Sequence, residues 1–210
     1  MPLLALAGKS DPQPPNVTRI LENTRKLISD EAIVLARRAY LDRTDLPKMK
    51  SYLDLAGSQQ KGINYYLLLA IYQFMSTRDI QAAKQSIEEA RKQDLKDFTW
   101  AYSKGFLVGY EGNLSDAYHT YKLAFGNKTG KATHIECELF LRKILEIEPD
   151  KIQLWYCLGL IYMSAHEDFV LAKQCFDDFI RKATQQGKYL DQIKYVERHL
   201  EKIRARGCQS

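Results

Sequence analysis

The stretch Gln153-Leu-Trp-Tyr-Cys-Leu-Gly-Leu-Ile-Tyr162 decides the fold. Trp155, Leu158, Gly159 and Tyr162 lie three, one and three residues apart, so a helix puts two large rings and a Leu on one face. Gly159 sits on that face without a side chain, which lets a second helix approach closely. A short polar break follows, and then Ala172, Phe176 and Phe179 repeat the spacing on the next helix. A small residue facing large rings is what two antiparallel helices need in order to nest. Trp155 is expected in the core of that pair.

The same alternation extends outward. Val17, Ile20, Leu21, Thr24, Leu27 and Ile28 form a helical stripe. Ser29-Asp30 reads as an interruption that caps a following helix bearing Ala32, Leu35, Ala36, Ala39 and Tyr40. Thr44-Asp45-Leu46-Pro47 reads as a helix start, a capping residue ahead of an early Pro. Met49, Tyr52, Leu53 and Ala56 carry the stripe, Gly57 ends it, and Ser58–Gly62 is loop-like. Gly112-Asn113 supplies a turn, since both residues tolerate a left-handed backbone. A helix is expected from about His134 to Ile147, after a loop at Gly126–Thr133.

This pattern resembles the tetratricopeptide repeat family, with Trp, Leu-Gly and Tyr on a first helix and Ala, aromatic, Ala on a second. Tyr65, Leu68, Leu69 and Tyr72 take the first-helix slots of one unit, with Ala83, Ile87 and Ala90 opposite. Gly105, Gly112, Ala117, Tyr121 and Ala124 match a second unit, whose Trp and Leu slots hold Ala101 and Lys104. The resemblance implies an all-α, right-handed α-solenoid of about 10–11 helices. Its units are 63–93, 99–125 and 152–184, and a capping helix spans 189–205. It leaves the helix ending at Ile147 with two placements: a first-helix position, or an insertion between repeats. Residues 1–15 hold four of the six prolines and read as a flexible arm ahead of a single domain at 16–206.

The resemblance also implies a function, a non-enzymatic adaptor or assembly scaffold. In the family the inner groove is lined by the residues after the Trp slot and after the Gly slot. Here these are Tyr66, Tyr102 and Tyr156, and Ala70, Phe106 and Leu160. Open to solvent, such a row suits a peptide or helix of a protein partner with apolar anchors. The other reading is that the rings pack against neighbouring repeats. The Lys, Asn and Arg clamp with which one subclass binds acidic chaperone tails is missing from these slots.

Composition supports an ordinary helical protein. The 210 residues are 45% hydrophobic and 27% charged, with a formal charge of +5. No run reaches the roughly 18 apolar residues of a membrane span, and no secretory leader is recognisable, so cytoplasm or nucleoplasm is expected. None of the four cysteines forms a Cys-x-x-Cys pair, and Cys157 and Cys175 read as small buried hydrophobes in a reducing compartment. Gly126–Thr133 imitates a phosphate-binding loop, but only three residues separate its glycines, and Ala132 stands where Ser or Thr belongs. No metal-ligand spacing or nucleophile arrangement emerges, so neither a cofactor nor catalysis is expected. A second candidate is basic. Lys194, Arg198 and Lys202 recur every four residues on the last helix, as a nucleic-acid-associated repeat protein would use against phosphates.

Overall fold

The computed structural model describes residues 15–43, 45–127 and 131–206. The expected arm over 1–15 lies almost wholly outside them, as do Thr44, residues 128–130 of the expected loop, and Cys208. Among the described residues every regular element is helical, with ten α-helices and one π turn, and no helix is long and apolar enough to cross a membrane. The chain divides into two compact units, residues 1–61 and 62–210, where the sequence reading took 16–206 as one domain. The boundary falls in the loop-like stretch at 58–62.

The first unit holds α1 (Pro15–Arg43) and α2 (Leu46–Gln59), packed as a pair. The Asp45 carboxylate accepts from the Lys48 amide at 3.0 Å, and Pro47 sits in the first turn, as the sequence indicates. Ala32, Ile33, Ala36 and Tyr40 of α1 are buried, as are Met49, Leu53 and Ala56 of α2. The expected break at Ser29-Asp30 is absent, and α1 runs through it. The Ser29 hydroxyl, instead of capping a helix, is buried and donates to the Gln60 carbonyl at 2.9 Å, closing the end of α2. Gly57 likewise does not end α2, which continues to Gln59.

The second unit contains three helix pairs. These are α3 (Ile63–Thr77) with α4 (Ile80–Gln93), α5 (Trp100–Tyr110) with α6 (Leu114–Gly126), and α8 (Gln153–Ile161) with α9 (Phe169–Gln186). The three pairs turn in the same way. A residue in the left-handed region, Arg78, Gly112 or Glu167, precedes a cap, Asp79, Asn113 or Asp168. Each cap accepts from the amide three residues on: Ala82 at 2.9 Å, Asp116 at 3.2 Å and Leu171 at 2.9 Å. Between α8 and its turn the helix widens into a π turn, Tyr162–His166. Seven residues lead from Gly105 to the left-handed Gly112, and eight from Gly159 to the left-handed Glu167. The π turn absorbs that one extra residue without breaking the helix.

Close nesting follows from the glycines. A Cβ on Gly159 would stand 2.5 Å from Phe176 Cε1, and one on Gly105 would stand 3.1 Å from the Tyr121 ring. Their absence lets α9 and α6 lay fully buried rings directly on the opposing backbones. Trp155 departs from expectation. It is half-buried at the side of α8, with the Lys182 ammonium 5.9 Å from its ring, while Leu154, Leu158 and Ile161 fill the core.

The remaining helices are α7 (Lys131–Ile147) and α10 (Leu190–Ala205). α8 packs directly on both α5 and α6, whereas α7 packs against α5, α8 and the π turn. The third pair therefore stacks on the second, and α7 is an insertion laid over them. This selects between the two placements that the sequence leaves open. α10 packs on α9 through Val196, Leu200 and Ile203.

Candidate functional site

The expected aromatic groove is closed. Tyr102, Phe106, Tyr156, Ala70 and Leu160 are all at most 3% exposed, and only Tyr66, beside Tyr65, keeps part of its surface. For Tyr102 and Phe106 the cause is α7. Phe140 seats its ring 4.5 Å from Phe106, edge to face, and His134 lies 5.4 Å from Tyr102. Phe74 joins the same cluster, 4.9 Å from Phe106 and 6.1 Å from Phe140. For Tyr156 the cover is α9 and α10: Phe176 and Phe179 at 6.0 Å, and His199 at 5.9 Å. Burial pushes the Tyr156 phenol well above its ordinary pKa. The row is a core, and the packing alternative describes it.

A second cluster fastens α7 to the π turn. The Glu138 carboxylate accepts from Arg142 Nε at 2.9 Å, faces His166 Nε2 at 3.1 Å, and accepts from the Tyr162 hydroxyl. Arg142 Nε also donates to that hydroxyl at 3.0 Å. Burial and then the bond to Glu138 raise the Tyr162 pKa. His134 lies 6.3 Å from His166, and burial, with the His166 charge behind it, lowers its pKa. Glu138, Arg142 and Tyr162 answer one another, so the arrangement serves to hold α7 in place. Among the described residues no group of three His, Cys, Asp or Glu is placed to hold a metal.

The basic row fares differently. Lys194, Arg198 and Lys202 are exposed on α10 and line one cleft of about 520 Å³ between α10 and the first turns of α6. The far wall is Asn113, Leu114, Ser115 and Tyr118. None of the three cations forms an ion pair among the described residues. Lys194 and Arg198 instead flank the Tyr195 ring, 5.5 and 5.6 Å from its centroid. Asp191 is the one carboxylate on the lining.

His199 closes the cleft floor at 5% exposed. It stacks on Phe176 at 5.5 Å and lies 5.3 Å from Tyr118. Its Nε2 meets the Tyr156 hydroxyl at 3.4 Å, and its buried Nδ1 has no hydrogen-bond partner. Burial, with Lys202 adding to it, lowers its pKa to about 4, so the ring is neutral at pH 7. Helical periodicity shows the three cations in the sequence, whereas nothing local ties His199 or the α6 wall to them. The wall meets α10 because Gly112, at φ 92°, has no Cβ to collide with the Tyr189 hydroxyl, which would stand 2.8 Å away.

No family model, curated protein or solved structure matches the chain.

Proposed function

We propose that the chain is a non-enzymatic interaction scaffold, built of tetratricopeptide-like helix pairs, that holds a protein partner along the exposed stripe of α1. The observation carrying this reading is the first half of that helix. Every residue from Val17 to Ile28 is exposed, and five are large and apolar: Val17 39%, Ile20 55%, Leu21 48%, Leu27 69% and Ile28 39%. They share one face at helical spacing. About twelve residues of helix with no packed face are marginal in water, so a bound segment would both order the helix and cover its stripe. Half-covering five such side chains is worth roughly 5 kcal/mol before the cost of association. The three like turns, the Gly159–Phe176 nesting and the inserted α7 support the repeat reading, and they move the partner surface away from the inner-face tyrosines.

The reading is tested by photo-crosslinking in cells of the source organism, with a benzophenone residue at position 27 on the stripe or at position 26 beside it. A discrete protein adduct at 27, lost on adding Ile20→Glu, is expected. Equal labelling at both positions, or an adduct that survives Ile20→Glu, removes the proposal.

A nucleic-acid surface on α10 is the second reading, favoured by the exposed row Lys194, Arg198 and Lys202. Eight residues of helix make that row only about 12 Å long, which reaches few phosphates of a polymer.

A further inference from the structure

We infer that the cleft between α6 and α10 binds a phosphate monoester carried on a compact organic group. Three observations converge on this, none of them resting on the α1 stripe.

The first is charge. Lys194, Arg198 and Lys202 stand four residues apart on α10, and like charges at that spacing repel. They form no ion pair among the described residues, and Asp191 is the single carboxylate on the cleft wall. A dianionic phosphate offsets this surplus better than a lone carboxylate, and Arg198 offers it a planar pair of donors.

The second is the floor. His199 is 5% exposed and lines the cleft, yet its Nδ1 has no partner. Buried polar nitrogens are seldom left so. The Nε2 edge meets the Tyr156 hydroxyl at 3.4 Å, so the floor of the cleft carries an imidazole with one nitrogen still unpaired. The same cleft is closed on its α6 side by the first turn of that 13-residue helix, whose dipole favours a negative charge.

The third is size. About 520 Å³ lies within the range of small-molecule sites. Tyr118 and Tyr195 add aromatic walls on which the organic part of the ligand would rest.

The test uses the full chain at low ionic strength, titrated with inorganic phosphate, a nucleoside monophosphate, phenyl phosphate and a single-stranded RNA lacking terminal phosphates. Amide and histidine resonances report binding. One of the two organic monoesters is expected to bind at a single site more tightly than inorganic phosphate, and to shift the His199 ring signals. Arg198→Ala should weaken it about tenfold or more, while Lys188→Ala, exposed and outside the cleft lining, should not change it. A preference for the nucleoside compound names a free nucleotide as the source; a preference for phenyl phosphate names a phosphorylated tyrosine side chain. Three results would each overturn the inference: no monoester binds, binding is unchanged in Arg198→Ala, or RNA binds and the monoesters do not.

Discussion

Gly159→Ala tests the packing most directly. The new Cβ would lie 2.5, 2.7 and 3.0 Å from three carbons of the Phe176 ring, about an ångström inside ordinary contact. The ring has little room to retreat. It is fully buried, with Tyr156 at 6.0 Å and His199 stacked at 5.5 Å on it. Overpacking of this kind costs about 3 kcal/mol, and Ala recovers about 1 kcal/mol of helix propensity over Gly. The net loss is therefore about 2 kcal/mol, which for a unit of this size lowers Tm by roughly 4–8 °C. Urea unfolding followed by helical circular dichroism measures it. Gly126→Ala is the control, because a Cβ there meets nothing within 4 Å, and it should leave stability unchanged or slightly raised. In Gly159→Ala/Phe176→Leu the two losses should fall short of additivity by about 1–2 kcal/mol, since the smaller side chain vacates the contested space. A Gly159→Ala protein as stable as the parent would refute the argument that a missing Cβ sets the α8–α9 approach.

Tyr102→Ala should cost roughly 3–5 kcal/mol, because the ring is packed between α6 and α7; a nearly unchanged melting temperature would restore the open groove. His199 has a folded pKa of about 4 against an ordinary 6.5, so it favours the folded state fully above pH 6.5 and loses that contribution as pH falls toward 4. The loss amounts to roughly 3 kcal/mol. His199→Phe should flatten that part of the stability–pH curve, and an unaltered slope would count against a buried neutral ring. Burial pushes the thiols of Cys137 and Cys175 up to about 12 and that of Cys157 higher still. A thiol reagent at pH 7.5 should modify these three only on unfolding, as mass spectrometry of the native protein will show.

Local physics made much of this fold legible in the sequence. The 3.6-residue spacing of apolar side chains gives the helices, and short polar turns force neighbours to pair. Gly159 and Gly105, facing Phe176 and Tyr121, mark where two helices touch. Asp45 and Gly112-Asn113 mark turns through backbone chemistry that is complete within four residues. Ser29-Asp30 misleads because a serine that caps a helix and a serine that bonds a distant carbonyl look alike in one dimension. Its partner, the Gln60 carbonyl, is thirty-one residues away.

The candidate sites divide along the same line. A periodic pattern states which face of a helix is apolar, not what covers it. Tyr102 and Phe106 have the spacing of an open inner face, and only the placement of α7, with Phe140 and His134 against them, turns that face into core. The row Lys194, Arg198 and Lys202 is fixed by α10 alone and could be read directly. Its joining with His199 and the first turn of α6 depends on where two helices more than sixty residues apart come to rest. That placement is a sum of many small packing terms distributed over the second unit's sequence, and no single motif carries it.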